Sequence, residues 1–391
     1  MLSNSRPNIE EDTIARMTAW RHDFHAYPET GFEEVRTSGI VAEVLDRLGI
    51  EVHRGLAKTG VVGTLRNGDG PVIGLRADMD ALDMTEISDK PYRSTVPGKM
   101  HGCGHDGHTS MLLGAAEYLS RTRNFAGTVH FIFQPAEENL GGGREMVKDG
   151  LFDQFPCDAI YALHNFPNLP KGTFAVKYGA AASALDTFEI VITGKGTHAA
   201  HPERGIDTVL IQAQLITAFQ GIISRNIGAT DIGVVTVTQV HGGDTWNVIP
   251  ETMILRGTVR TFDAAIQDHI EARMNAICAS FATMHGASIS LDFRRGYPAM
   301  VNTDAETDRA RAAAEVIVGK EQVQLLDHPI MGSEDFAFML QVRPGAYLFL
   351  GSGESDNDPP VHNPRYDFND AVLPTGAAWF AQVVEQELPR A

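Results

Sequence analysis

Apolar residues return at helical spacing over residues 10–26 and again over 33–48, "EEVRTSGIVAEVLDRL", and Gly49 supplies a natural stop to the second run. The pattern then changes. "GVVGTLRN", "PVIGLRAD", "GTVHFIFQPA" and "DAIYALHN" are short and largely apolar, which suits strands covered on both faces. Among them, helical spacing predicts a helix from about Gly107 to Arg121 and another near Arg144 to Lys148. Strands alternating with helices predict a mainly parallel sheet with helices on its faces, and ligands gather beyond the carboxyl ends of such strands.

A second pattern begins near Ser183. "ALDTFEIVITGKG" alternates polar and apolar residues; a long helix follows from about Gly205 to Asn226, then "GVVTVTQVHGG" and "TMILRGTVRTF", a helix from about Ala264 to His285, and "SISLDFRRG". Strand-helix-strand-strand-helix-strand is the split ferredoxin-like order, which makes a compact α+β domain. From about Asn302 the first pattern returns, with a helix through "DAETDRARAAAEVIVG", a strand in "GAYLFLG" and a helix through "AAWFAQVVEQEL". The chain therefore reads as an α/β domain over residues 1–182 and 300–391, interrupted by an α+β domain over residues 183–299.

Length and charge narrow the function. A chain of 391 residues exceeds one typical core and suits two domains with a cleft. A formal net charge of −18 gives an acidic surface that repels nucleic acid and anionic membrane. The start, "MLSNSRPNIEEDTIARM", carries acids where a secretory leader needs a basic end and an apolar core, and no later stretch resembles a membrane span. A cytoplasmic location is expected. Cys103, Cys157 and Cys278 are too few, and odd in number, for a disulfide framework.

The densest chemistry is "MHGCGHDGHTS" at residues 100–110. Cys103 and His105 stand two positions apart, close enough to serve one metal centre, and a thiolate with imidazoles suits zinc-like transition metals. His108 reads instead as a residue capping or packing the helix start. Other strand ends supply further donors: Glu137 and Glu138 after "FIFQPA", and His164 after "IYAL". Neighbours on extended chain point to opposite sides, so one glutamate can bind metal while the other serves as general acid or base. A Glu-Glu pair is ordinarily a solvated loop, but the preceding Phe131, Ile132 and Phe133 favour a buried strand edge. His362, in "PPVHNPRYDF", adds a fifth donor. Cys103, His105, Glu138, His164 and His362 exceed one tetrahedral site and suit two metals with one bridging ligand.

In this order, these residues resemble the aminoacylase and glutamate-carboxypeptidase type of co-catalytic metallohydrolase, in the branch of hippurate hydrolases and indole-acetyl-amino-acid hydrolases. The resemblance runs nearly end to end, through "RHDFHAYPETGFEE", "GLRADMDAL", "MHGCGHDGHTSMLLGAA", "FQPAEEN", "ALHN", "GTHAAHPERGID", "NVIPETMILRGTVRTF", "GSEDFA" and "VHNPRYDF". It implies that Cys103 bridges two divalent ions, that Glu138 and His362 complete one and His105 and His164 the other, and that Glu137 is the general base. Asp78 and Asp80 resemble the family's acids that orient ligand imidazoles, Asp80 the better match; both also suit ordinary strand-end turns. Asp83 stands where the branch usually has proline. The inserted domain resembles the family's lid and dimerisation surface. On it, His198 and Asn247 match residues that hydrogen-bond the developing oxyanion, often across the dimer, and Arg260 matches an arginine associated with the substrate carboxylate. Gly332, in "GSEDFA", is expected to shape the substrate pocket through its backbone, while Glu334 and Asp335 could cap the following helix.

The expected protein is a metal-dependent amidohydrolase that cleaves N-acyl amino acids, works as a homodimer or higher homo-oligomer, and holds two ions drawn from zinc, manganese, nickel or cobalt. A dipeptidase or carboxypeptidase would use the same site. A cysteine amidase with Cys103 as nucleophile and His105 as base leaves Glu138, His164 and His362 unexplained, and a non-catalytic metal- or peptide-binding protein leaves Glu137 unexplained.

Overall fold

The computed structural model describes residues 6–138, 140–355 and 357–390. Residues 1–5, on which the reading of the amino terminus partly rests, lie outside the described residues. The chain divides into two compact units: Met1–Ala181 with Val301–His328 and Asp335–Ala391, and Ala182–Met300 with Pro329–Glu334.

The larger unit is built on an eight-stranded sheet. In chain order its first elements are α1 (Glu11–Ala26), α2 (Val35–Arg47), β1 (Glu51–Leu56), β2 (Gly60–Asn67), β3 (Val72–Asp78), α3 (His105–Thr122), β4 (Gly127–Gln134), α4 (Gly142–Lys148), β5 (Ala159–Pro170) and β6 (Phe174–Val176). The sheet order is β1-β2-β4-β3-β5, then Gly345–Gly353, β6 and Val323–Leu325. Its centre is parallel: β3 runs with β4 and with β5, and β5 runs with Gly345–Gly353. Antiparallel pairings of β1 with β2, β2 with β4, and β6 with Gly345–Gly353 flank that centre. Every residue of Gly345–Gly353 is buried, as the continuous apolar run requires of a strand covered on both faces.

α3 packs against α1 and against the closing helix Leu373–Glu387. Its first twelve residues are all buried, polar ones included, so the stretch that carries the candidate ligands enters the core at once. Glycines permit the close approach. A Cβ on Gly114 would run into the Met17 sulfur, and one on Gly376 into the Met111 sulfur. Met17, Phe24, Met111, Leu112, Phe131, Phe133, Leu348 and Trp379 share one apolar core.

Three boundaries of the larger unit differ from the sequence reading. α3 begins at His105, two residues early, because the chain turns through left-handed Gly104 and needs no further lead-in. β4 ends at Gln134, so Glu137 and Glu138 lie on a turn and not on extended chain. β5 continues past His164 to Pro170, so His164 is within the strand. Three short strands of this sheet, β1, β6 and Val323–Leu325, go unpredicted; β1 is at the sheet edge with one buried residue and gives no apolar run to read.

The smaller unit has an antiparallel sheet in the order Gly233–His241, Thr252–Thr261, Leu185–Thr193, Ser288–Tyr297. Helices Thr208–Asn226 and Ala264–His285 join its strands in the split ferredoxin-like order. Asp207 and Asp263 cap them, each side chain accepting two backbone N–H bonds of the first turn, which sets the first helix start at Thr208 and not near Gly205. Phe188, Ile190, Leu215, Phe219, Leu255 and Ile270 form a core of this unit's own. Among the described residues no helix is long and apolar enough to cross a membrane.

Candidate metal centre

Elements of the larger unit deliver five donors to one place. Cys103 and His105 flank Gly104, whose φ of 91° a side chain would strain. A Cβ there would also overlap the Asn165 side-chain oxygen. The backbone N–H of His362 donates to the Gly102 carbonyl at 2.7 Å, which ties the late loop to the Cys103 loop.

Two groups of donors share the thiol. Cys103, His105 and His164 offer ligand atoms within 4.8 Å of one another, and so do Cys103, Glu138 and His362. Cys103 Sγ lies 3.3 Å from His164 Nε2, and Glu138 Oε1 lies 3.0 Å from His362 Nε2. The latter pair is not aligned as a hydrogen bond, and Glu138 Oε1 is buried without one. Its free lone pairs are available to a third atom.

Two of the imidazoles are engaged through Nδ1, which leaves Nε2 facing the other donors. His164 Nδ1 lies 2.6 Å from the Asn165 carbonyl and so carries the proton, leaving the Nε2 lone pair toward Cys103. His105 Nδ1 lies 3.2 Å from Asp80 Oδ1, and its buried Nε2 has no hydrogen-bond partner. An orphaned imidazole nitrogen, an orphaned carboxylate oxygen and a thiol between them fit divalent cations of the transition series.

Electrostatics point the same way. Burial, with Glu138, Glu137 and Asp78 nearby, pushes the Cys103 thiol well above its ordinary range. A nucleophilic cysteine requires the opposite shift, and the imidazole within hydrogen-bond distance of the sulfur is that of His164. Burial works against the charge on His105, but Asp78 and the bond to Asp80 push it up to about 10. For Glu138, His362 and His105 outweigh burial and hold the carboxyl below its usual range. The thiol and these carboxylates form a concentrated negative site, and a cation placed among them reverses the thiol's preference for its proton.

Around the donors runs a buried polar frame. Asp80 meets His105 with one oxygen and accepts the Glu138 N–H with the other at 2.9 Å. Asp78 bonds His108 Nδ1 at 2.6 Å and Arg76 at 2.7 Å. His108 packs at the helix start, its Nε2 2.7 Å from the Asn165 side-chain oxygen. Asp335 does not cap the helix that follows it. Its carboxylate is drawn inward to Arg76 and Gln134, and accepts the Gly143 N–H at 2.7 Å. Its own N–H approaches Glu137 Oε1 at 3.4 Å. Sequence reasoning missed Arg76, although an arginine inside the apolar run "VIGLRAD" was a signal that a buried carboxylate faces it.

His198, Asn247, Arg260 and Gly332 belong to the smaller unit. His198 pairs with Val248 in a two-stranded ribbon, and the Asn247 carbonyl accepts the Ala199 N–H at 2.9 Å. His198 Nδ1 accepts the Ala200 N–H at 3.1 Å, so Nε2 carries the proton and is a donor. Arg260 Nη1 is buried without a hydrogen-bond partner, and burial pulls the guanidinium below its ordinary value despite Asp186. The Gly332 carbonyl accepts the Ser183 N–H at 2.9 Å.

The family model described as peptidase family M20/M25/M40 matches residues 74–386. A hippurate hydrolase of Campylobacter jejuni is 38% identical over 93% of this chain and 94% of its own. The IAA-amino acid hydrolase ILR1-like 2 of Arabidopsis thaliana is 37% identical over 95% of this chain and 85% of its own. Among solved structures, the Bacillus subtilis YXEP protein, a dinuclear metal-binding peptidase of the M20 family, superposes with a TM-score of 0.83. It is 32% identical, with 96% of this chain and 100% of that chain covered.

Proposed function

The chain belongs to the peptidase family M20/M25/M40, and from that membership we propose that it hydrolyses the amide bond of N-acyl amino acids to a carboxylic acid and a free amino acid. The observation that carries this reading is the pair of donor groups sharing Cys103, with Glu137 beside them. The activities for which the hippurate hydrolase and the IAA-amino acid hydrolase are named support it.

In this reading Cys103, His105, Glu138, His164 and His362 would hold two divalent ions, Cys103 being the donor common to both groups. Such ions, when bound, polarise the amide carbonyl and make water more acidic. Glu137 takes the proton of the attacking water and returns it to the nitrogen of the leaving amine. Asp80 holds His105 and the Glu138 backbone in place, and Asp78 faces His105 Nε2 at 3.9 Å while bonding His108 and Arg76. The family resemblance further assigns the Nε2–H of His198 and the Asn247 amide to the developing oxyanion, and Arg260 to the substrate carboxylate. Gly332 shapes the pocket through its backbone.

A homodimer through the smaller unit belongs to the same proposal. Its support is the exposed edge position of Gly233–His241 together with exposed Val234, Val240, Trp246 and Val248. Sedimentation of the purified protein at several concentrations gives its mass in solution; a monomer throughout would refute it.

The test of function is metal content per chain, with hydrolysis of N-benzoyl, N-acetyl and indole-acetyl amino acids and of dipeptides before chelation, after it, and after adding back zinc, manganese, nickel or cobalt singly. About two ions per chain and activity restored by one metal are expected. Turnover indifferent to chelation would overturn the proposal, and preference for dipeptides would move it to a peptidase using the same donors.

A further inference from the structure

The turn that carries Glu137 and Glu138 is held by a buried carboxylate that no role above uses. Glu34, at the entrance to α2, is 0% exposed. Its Oε1 accepts the Ala136 N–H at 2.8 Å and its Oε2 accepts the Thr59 hydroxyl at 2.6 Å. Ala136 has a φ of 54°, a left-handed conformation that residues with a Cβ seldom adopt. Its carbonyl accepts the Gly142 N–H at 2.9 Å, closing the turn. Packing leaves the backbone little room: a Cβ on Gly31 would come within 3.1 Å of the Ala136 Cα.

One residue further, the Glu138 N–H is taken by Asp80 at 2.9 Å. Glu137 therefore stands between two amides, each clamped by a buried carboxylate. A left-handed alanine is costly and persists only where its surroundings enforce it. The Glu34 bond is what faces that amide.

We propose that Glu34 is a positioning residue for the general base: it fixes Ala136 in the left-handed conformation and so aims Glu137, without touching substrate. This rests on Glu137 being the base. Burial, with Asp80 adding its charge, pushes the Glu34 carboxyl up to about 7. Its acceptor geometry is therefore the property at issue, and a neutral amide of the same length can supply it.

The test uses the full-length, metal-loaded enzyme and steady-state hydrolysis of its best N-acyl amino acid. Glu34→Ala should lower kcat by about 10- to 100-fold, since a misplacement near 1 Å costs that much. KM should change less than about threefold, with metal content unchanged, because the substrate contacts and ligands remain. Glu34→Gln, with its oxygen on Ala136 and its NH2 donating to Thr59, should keep kcat within about threefold. Placed on Glu137→Gln, Glu34→Ala should add little, because groups acting through one another are not additive. Should Glu34→Ala fail to fold, Glu34→Asp, one methylene short of Ala136, serves in its place and should lose kcat likewise.

Wild-type kcat in Glu34→Ala or Glu34→Asp, or losses that multiply in full with those of Glu137→Gln, would overturn the positioning role alone. A Glu137→Gln enzyme with wild-type turnover would overturn the base assignment, and the positioning role with it.

Discussion

Glu137 and Glu138 are neighbours in sequence with different surroundings. Glu138 lies against His362 and His105 as a ligand would, whereas Glu137 meets the Asp335 N–H. Glu137→Gln keeps the shape and removes the basicity, so turnover should fall by at least about 10³-fold while metal content stays; normal turnover would take the base role from it. Cys103→Ala removes the donor common to both groups, and metal analysis should show a loss of bound ion. An unchanged stoichiometry would contradict bridging. The ligands were legible because "HGCGH", "AEEN" and "LHN" put donors beside apolar runs. The residues that orient them were not: Arg76, Glu34 and Asp335 meet their partners across long sequence separations. His25 was equally silent. Burial disfavours its charge, but bonds to Asp106 and Glu86 prevail and push it up to about 9. A raised folded-state value stabilises fully below the unfolded value near 6.5 and is lost as pH rises through about 9. Between those limits the metal-saturated wild type should lose on the order of 3 kcal/mol of unfolding free energy relative to its acid side. In denaturant titrations His25→Gln should lack that loss; parallel pH profiles would refute the assignment.

At the scale of elements, the alternation of strands and helices was readable because the central strands are apolar throughout and the helices periodic. What periodicity misplaced were the transitions, and the donors sit on them. The loop into α3 depends on Gly104, whose positive φ and crowding against Asn165 no apolar pattern encodes. Gly104→Ala should displace Cys103 and His105 together and weaken metal binding by about 10- to 100-fold, the range seen when the support of a ligand is lost. Competition with a graded chelator measures it, and wild-type affinity would show that the turn can relax without moving its ligands. The ribbon of Thr197–His198 with Val248–Ile249 was too short for any pattern, yet it links His198 to the segment bearing Asn247. His198→Ala should cut kcat by about 10²-fold, the scale of one lost oxyanion donor, and leave metal content intact. Undiminished kcat would remove the ribbon from the reaction.

For the molecule as a whole, the chain carries a formal charge of −18. The larger unit adds to that burden by burying a thiol and several carboxylates together. Such a cluster is costly without cations, since each buried charge needs a partner, and Asp78 and Asp335 share Arg76. Metal binding should therefore be folding free energy for this unit, growing by about 1.4 kcal/mol per bound ion for each tenfold rise in free metal above its dissociation constant. The smaller unit keeps a separate apolar core and none of the five donors. Chelation should then lower the melting midpoint that belongs to the larger unit, and restored metal should raise it, while the smaller unit unfolds where it did before. Calorimetry with and without chelator reads both. If every midpoint stays in place when metal is stripped, the donors gathered around Cys103 hold no ion that the fold depends on.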